Sequence, residues 1–382
     1  MKIAFLTPEY PHAKTGASGG IGSSIKTLAL GLKAQGCSVH VLVYGQKADT
    51  IFDDEGITIH QIKNIKLKGL SWYLTRKKLQ KTINSLHANN ELDILEAPDW
   101  TGITSFIQPN CPVVIRLHGS DTYFCHLDNR PVKWLNRFHE KRALQKADKH
   151  VSVSAYTAAM TNRLFGLNKN FTIIPNGINI ADFKNVSNII SDLPIILYFG
   201  TLIRKKGLFE LPLIFNKVIE QQPNAQLYLV GRDSADIISG SSSTWEMMQP
   251  LFSKGALQNV TYFGGVPFAE IKAHIQKATV CVFPTFAEAL PLSWLEAMAM
   301  EKAVVASNIG WATEIITDGN SGFLVHPKEH DLFADRIISL LQNLALRKQM
   351  ELDAHKRVTA IFDVKKVAEK NMTFYKSLIE KH

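Results

Sequence analysis

Short apolar runs alternate with amphipathic stretches along the whole chain. Lys2-Ile-Ala-Phe-Leu-Thr7 is apolar at consecutive positions, as a strand buried on both faces must be, and residues 39–43, 57–60, 92–96, 113–117 and 150–153 continue the series. Between them, residues 23–35 carry a helical period closed by Gly36, and residues 131–147 carry another. A second series begins after the polar stretch 185–192, where Pro194 introduces Ile195-Ile-Leu-Tyr-Phe199. Residues 226–230, 260–263, 280–283 and 303–306 follow, each with a plausible helix behind it. Strand–helix alternation of this kind predicts parallel sheets covered by helices on both faces. No short repeat occurs, and two doubly wound α/β domains joined near residues 187–194 are the simplest account.

Size and composition agree. A chain of 382 residues suits two domains with separate cores. Hydrophobic content of 46% with 20% charged residues describes a globular protein, and no apolar run reaches the ~20 residues of a membrane-spanning helix. The first residues carry too short an apolar run for a signal peptide. Cys37, Cys111, Cys125 and Cys281 are scattered without CxxC or zinc spacing, so the expected compartment is reducing cytoplasm.

Charge is divided unevenly. Residues 1–190 contain 23 Lys and Arg against 14 Asp and Glu, whereas residues 191–382 contain 20 of each, so the whole excess of +9 lies in the first half. Lys63, Lys66, Lys68, Arg76, Lys77, Lys78 and Lys81 fall between Glu55 and Glu91 without an acidic neighbour, interleaved with Leu70, Trp72, Tyr73 and Leu74. Such a stretch fits an anionic membrane surface, placing the protein peripherally on the inner face of the cell membrane; a solvated basic helix fits equally.

The most informative motif follows the apolar run 280–283. In Glu288-Ala-Leu-Pro-Leu-Ser-Trp-Leu-Glu296 two carboxylates stand eight residues apart across a loop-to-helix junction, and Pro291 suits a first helical turn. Backbone N–H groups at a helix N-terminus bind anions, while flanking carboxylates can accept from sugar and ribose hydroxyls. Leu290 and Leu292, between the carboxylates, are accordingly donor-binding positions. Acidic residues near helix N-termini also serve merely to complement the macrodipole. Gly200-Thr-Leu-Ile-Arg-Lys-Lys-Gly207 adds positive charge at a strand end, where it can neutralise a leaving diphosphate. Gly16-Ala-Ser-Gly-Gly-Ile-Gly22 lies between the first strand and helix, but an NAD site would want an acid after the second strand, where Tyr44-Gly45 stands. There is no Asp-x-Asp triplet, P-loop or Gly-x-Ser-x-Gly elbow.

These motifs resemble glycosyltransferase family 4, whose E-x7-E signature is close to E-G-x-P-L-x-x-L-E-A-M-A; Ala289 replaces its usual glycine. The glycine loop, Arg116-Leu-His118-Gly, Ile174-Pro-Asn-Gly-Ile178, Glu314 and Asn320-Ser-Gly-Phe-Leu-Val325 extend the resemblance over most of the chain. It implies a GT-B architecture: an acceptor-side domain at 1–190, a nucleotide-sugar domain at 191–363 facing it across a cleft, and a helix at 364–382 packing back on the first domain. It implies a retaining, metal-independent transfer from a UDP- or GDP-sugar to a saccharide or lipid-linked saccharide, without a cofactor. Glu288 would bind the donor sugar, Glu296 the ribose and Lys206 the diphosphate, with His118 reaching the sugar and Gly19 and Gly20 the phosphates. The family pattern G-R-L-x-x-x-K-G has its arginine replaced by Thr201, and Arg204 or Lys205 is the expected substitute, with Arg204 counted among the donor-binding residues. A non-catalytic sugar-nucleotide-binding protein is the alternative that Thr201 leaves open. A phosphorylase would need a pyridoxal phosphate site that no segment resembles, and nucleic-acid recognition lacks a motif.

Overall fold

The computed structural model describes residues 1–16, 18–183 and 193–380, so most of the expected junction at 187–194 lies outside the described residues. The chain forms two compact units, Met1–Asn179 with Phe362–His382, and Ile180–Ile361. The first unit therefore ends eleven residues before the expected 190, and it recovers the chain's last segment.

Its sheet runs, in spatial order, Thr50–Asp54, Ile57–Lys63, Ser38–Gln46, Lys2–Thr7, Ile94–Pro98, Val113–Leu117, Lys149–Ser152 and Thr172–Ile173. All neighbours are parallel except the first pair. That antiparallel edge strand is absent from the sequence reading, because Thr50-Ile-Phe-Asp-Asp54 is largely polar. It exists because Glu55 and Gly56 both adopt positive φ (56° and 77°), the geometry of a two-residue hairpin turn.

Alternation along Lys2–Thr7 feeds two cores. Ile3 and Phe5 face one layer with Ile25, Leu28 and Leu32 of the helix Gly20–Ala34; Ala4 and Leu6 face the other with Leu79 and Ile83. Period two, buried on both sides, is why these strands read as unbroken apolar runs. The helix Val364–Ile379 joins the first layer through Val367, Ala368, Tyr375 and Leu378. Gly31 makes this approach possible, since a Cβ there would stand 2.8 Å from Val364 Cγ2. Beneath the helix, Arg116 donates to both oxygens of Glu96 at 2.6 and 2.9 Å and to Asn371, and the Tyr375 hydroxyl donates to Glu96 at 2.6 Å.

The helix Gly20–Ala34 begins three residues earlier than its period suggests. Glu9, on the strand-to-helix connection, accepts the Gly22 N–H at 2.9 Å and supplies from a distance the cap that Gly19 lacks.

The second unit carries a sheet ordered Val260–Tyr262, Gln226–Val230, Ile195–Phe199, Val280–Phe283, Ala303–Ser307 and Phe323–Val325, parallel throughout. Phe323–Val325 is the strand whose period is too short to read. Trp294, fully buried, stacks on Phe283 at 6.2 Å and locks the helix Leu292–Ala299 to the sheet. All four cysteines are buried and unpaired.

Candidate functional site

Lys206 and Glu288 are 82 positions apart, yet their side chains meet. The strands Ile195–Phe199 and Val280–Phe283 are parallel neighbours, with Ile196 beside Val280, so the loops after both leave the same sheet edge. The loops are then tied by backbone: the carbonyl of Lys205 accepts the N–H groups of Phe286 and Ala287 at 2.9 and 3.2 Å. A short turn, Arg204–Lys206, ends at Gly207 with φ of 73°. A Cβ at Gly207 would fall 1.7 Å from the Pro284 carbonyl oxygen, so no other residue allows the loops to pack this closely.

Lys206 Nζ stands 3.1 Å from Glu288 Oε1, both side chains largely buried. Burial alone would lower the Lys206 ammonium; Glu288, Tyr198 and Glu296 outweigh it and hold the group above the usual lysine range. It is therefore a permanent cation at neutral pH. Glu296 lies five positions into Leu292–Ala299, and burial pushes its carboxyl up to about 7 against the pull of Lys206 and Lys272. Pro291 is the N-cap and supplies no side-chain cap, leaving the first-turn N–H groups of the helix without intrahelical acceptors. Leu290 is buried beside them and Leu292 opens the helix half-buried. Ala289 is buried too, so the extra methyl relative to glycine is absorbed in packing.

Arg204 departs from expectation. Its guanidinium is held by Asp236 through two bonds, Nε–Oδ1 at 2.8 Å and Nη2–Oδ2 at 2.6 Å, and lies over the Phe209 ring. The physical reason is Asp236, a buried carboxylate that needs a cation. Arg204 holds it well below the usual range. At Thr201, the backbone carbonyl accepts from the Tyr198 hydroxyl at 3.0 Å.

In the first unit, His118 follows the strand Val113–Leu117, and its backbone N–H donates to Asp99 at 2.9 Å. Burial and the Arg116 charge lower the imidazole to about 3, so it is neutral at physiological pH. Gly119 turns the chain at φ of 93°, where a Cβ would strike the Phe124 ring at 2.6 Å. Two acids that sequence reasoning missed organise this loop. Asp99 is fully buried and pushed up to about 8 by that burial. Glu140, pushed to about 7 by burial, accepts backbone N–H groups from Thr101, Asp121 and Thr122. Only Pro98-Asp99-Trp100, an acid directly ending a strand, hinted at the first of them.

Gly19 caps the first helix and Gly20 begins it, with no atom of the described residues within 4 Å of a Cβ built at Gly20. A Cβ at Gly19 would stand 3.3 Å from the Glu9 carboxylate, which already occupies the Gly22 amide. Any anion approaching these glycines meets that carboxylate as well.

A permanent ammonium, two flanking carboxylates and a helix N-terminus together make a receptor for an anionic, hydroxyl-rich ligand. Comparison with known proteins is consistent. Residues 179–357 match the family described as glycosyl transferases group 1, and residues 18–182 match glycosyltransferase family 4. The chain is 24% identical over 419 residues to the alpha-maltose-1-phosphate synthase of Mycolicibacterium smegmatis, covering 99% of this chain and 100% of that one. Sucrose-phosphate synthase from Thermosynechococcus elongatus superposes with a TM-score of 0.81 at 22% identity, covering 100% of both chains. The Anabaena protein HepE, solved in complex with UDP-glucose, superposes at 0.75 with 20% identity, over 99% of this chain and 100% of that one.

Proposed function

Because the chain belongs to glycosyltransferase family 4 and has the two Rossmann-like domains of the GT-B architecture, we propose that it is a retaining, metal-independent hexosyltransferase. The chain is related to enzymes of polysaccharide biosynthesis. In this reading it moves a sugar from a nucleotide-diphosphate sugar to a saccharide or lipid-linked saccharide, in the synthesis of a cell-surface polysaccharide or glycoconjugate. The observation that carries it is the Lys206–Glu288 pair at 3.1 Å with Glu296 one helical turn into the adjoining helix.

Lys206 and the first-turn N–H groups oppose the charge that grows on the diphosphate as the glycosidic bond breaks, an effect worth several kcal/mol at a water-poor site. Lys206 approaches that charge already polarised against Glu288, and Glu288 in turn accepts from donor-sugar hydroxyls. Glu296 accepts from the ribose. His118, neutral, offers a donor or acceptor to the sugar, but no cation. The acceptor hydroxyl attacks from the face the diphosphate leaves, and a phosphate oxygen takes its proton. With Lys206 supplying the positive charge, the step requires no metal. Arg204 enters only if a ligand competes with Asp236 for its guanidinium.

A thermal-shift panel of UDP, GDP, ADP and their sugars tests the donor, since a ligand that binds only the folded state raises its stability with affinity. Selective stabilisation by one nucleotide series, with turnover giving an α-linked product from an α-linked donor, is the expected result. A donor that binds without turnover would leave the non-catalytic reading, and no shift with any nucleotide would remove both.

A further inference from the structure

Three segments distant in sequence build one exposed apolar face on the first unit. The helix Ser71–Ala88 presents Trp72 and Tyr73 at its start, with Leu70 just before it. The helix Trp134–Lys146 presents Trp134, Leu135 and Phe138, spaced to share one side, and Trp134 is 73% exposed. Phe106 bridges them, with its ring 5.5 Å from Trp72 and 6.3 Å from Phe138. It does so from the left-handed region, φ 65°, a conformation that a bulky residue adopts only under constraint. The Arg142 guanidinium covers the Phe106 ring at 4.2 Å, and Lys77 lies over Tyr73 at 5.5 Å.

The charge around this face has one sign. Lys133, Arg137, Lys141, Arg142 and Lys146 are opposed over residues 131–146 by Glu140 alone, which is buried and engaged with backbone N–H groups, while Arg130 just before them is neutralised by Asp128 at 3.1 Å. On the other side, the structure thins the basic cluster seen in the sequence. Arg76 is buried and donates to Gly102, and Lys78 is paired with Asp49 at 2.6 Å. Lys66 and Lys68 remain exposed beside Leu70.

We propose that this face docks on an anionic lipid surface, the aromatic rings and leucines entering the interfacial layer and the lysines and arginines meeting headgroup phosphates. Several exposed large apolar side chains rimmed by cations match an anionic interface. A second copy is disfavoured because an isologous contact would bring identical positive rims together. Leucines at the face do not stack on bases, which argues against single-stranded nucleic acid. The inference is independent of the donor assignment, and its test needs no substrate.

The full chain is sedimented with phosphatidylglycerol–phosphatidylcholine vesicles and with phosphatidylcholine alone. Binding to the anionic vesicles only, released by about 0.5 M salt, is expected. Trp134→Ser with Phe138→Ser should weaken partitioning at least about tenfold at unchanged charge. Lys66→Glu, Lys68→Glu and Lys77→Glu together should weaken it about a hundredfold or more. Lys217→Glu, in the other unit, should change nothing. Wild-type protein left in the supernatant at low salt overturns the proposal, as does normal vesicle binding by both variants. So does a wild-type dimer that the serine variant dissociates, or preferential binding of a single-stranded oligonucleotide.

Discussion

Glu296 offers a prediction in which stability and function move in opposite directions. Its carboxyl is raised from 4.5 to about 7 by burial. A displacement of that size corresponds to about 3 kcal/mol against the ionised form, and about 1–2 kcal/mol once partial exposure and the coupling to Lys206 are allowed for. Below about pH 4.5 the group is neutral in folded and unfolded chains alike and burial costs nothing. Between about 4.5 and 7 the unfolded chain ionises first, so stability falls as pH rises; above 7 the penalty is constant. Glu296→Gln removes the charge at nearly constant shape. Urea titrations should therefore show the variant about 1–2 kcal/mol more stable than wild type at pH 8, with the gap closing near pH 5. Nucleotide affinity should move the other way. A hydrogen bond to a charged acceptor contributes about 1.5–3 kcal/mol, so the variant should bind its nucleotide about tenfold or more weakly. Wild-type affinity should also rise with pH through 7, and the variant's should not. A variant less stable at pH 8, or one that binds nucleotide as tightly as wild type, would refute the reasoning.

Glu288→Gln should lower turnover about 10- to 100-fold with the circular dichroism spectrum unchanged, because it removes a charged acceptor and unbalances Lys206; unaltered turnover would dissociate Glu288 from the donor. Arg204→Ala should cost about 1 kcal/mol of stability by stranding Asp236, as thermal melts would show. Turnover should persist in excess EDTA, and loss restored by magnesium or manganese would contradict the metal-independent step. Gly207→Ala should fail to accumulate as folded protein, since its methyl has no space beside Pro284; a soluble variant with a normal melt would show that the two loops can separate.

The buried strands were legible because both sheet faces are covered, so each strand is a run of apolar residues needing no context. Elements defined by turns or by remote partners were not. Thr50–Asp54 owes its pairing to the Glu55–Gly56 turn, and the early start of Gly20–Ala34 owes its cap to Glu9, eleven residues upstream. The site divides the same way. Lys206, Glu288 and Glu296 announce themselves by spacing within motifs, but Arg204 was assigned without its partner, because nothing in the sequence ties it to Asp236. Asp99 and Glu140 were invisible for a related reason. Their importance lies in the backbone amides they hold, and those amides belong to other segments.

The return of Val364–Ile379 to the first unit has a consequence for how the protein comes into being. Residues 362–379 are synthesised after the entire second unit, yet Asn371 and Tyr375 complete the hydrogen bonding around Arg116 and Glu96 in the first. Until that segment emerges from the ribosome, an Arg–Glu pair and an apolar helix face wait without their cover, the kind of surface on which chaperones act. The second unit can close as soon as its own residues are made. The order of maturation is thus the reverse of the order of translation: the unit begun first is finished last.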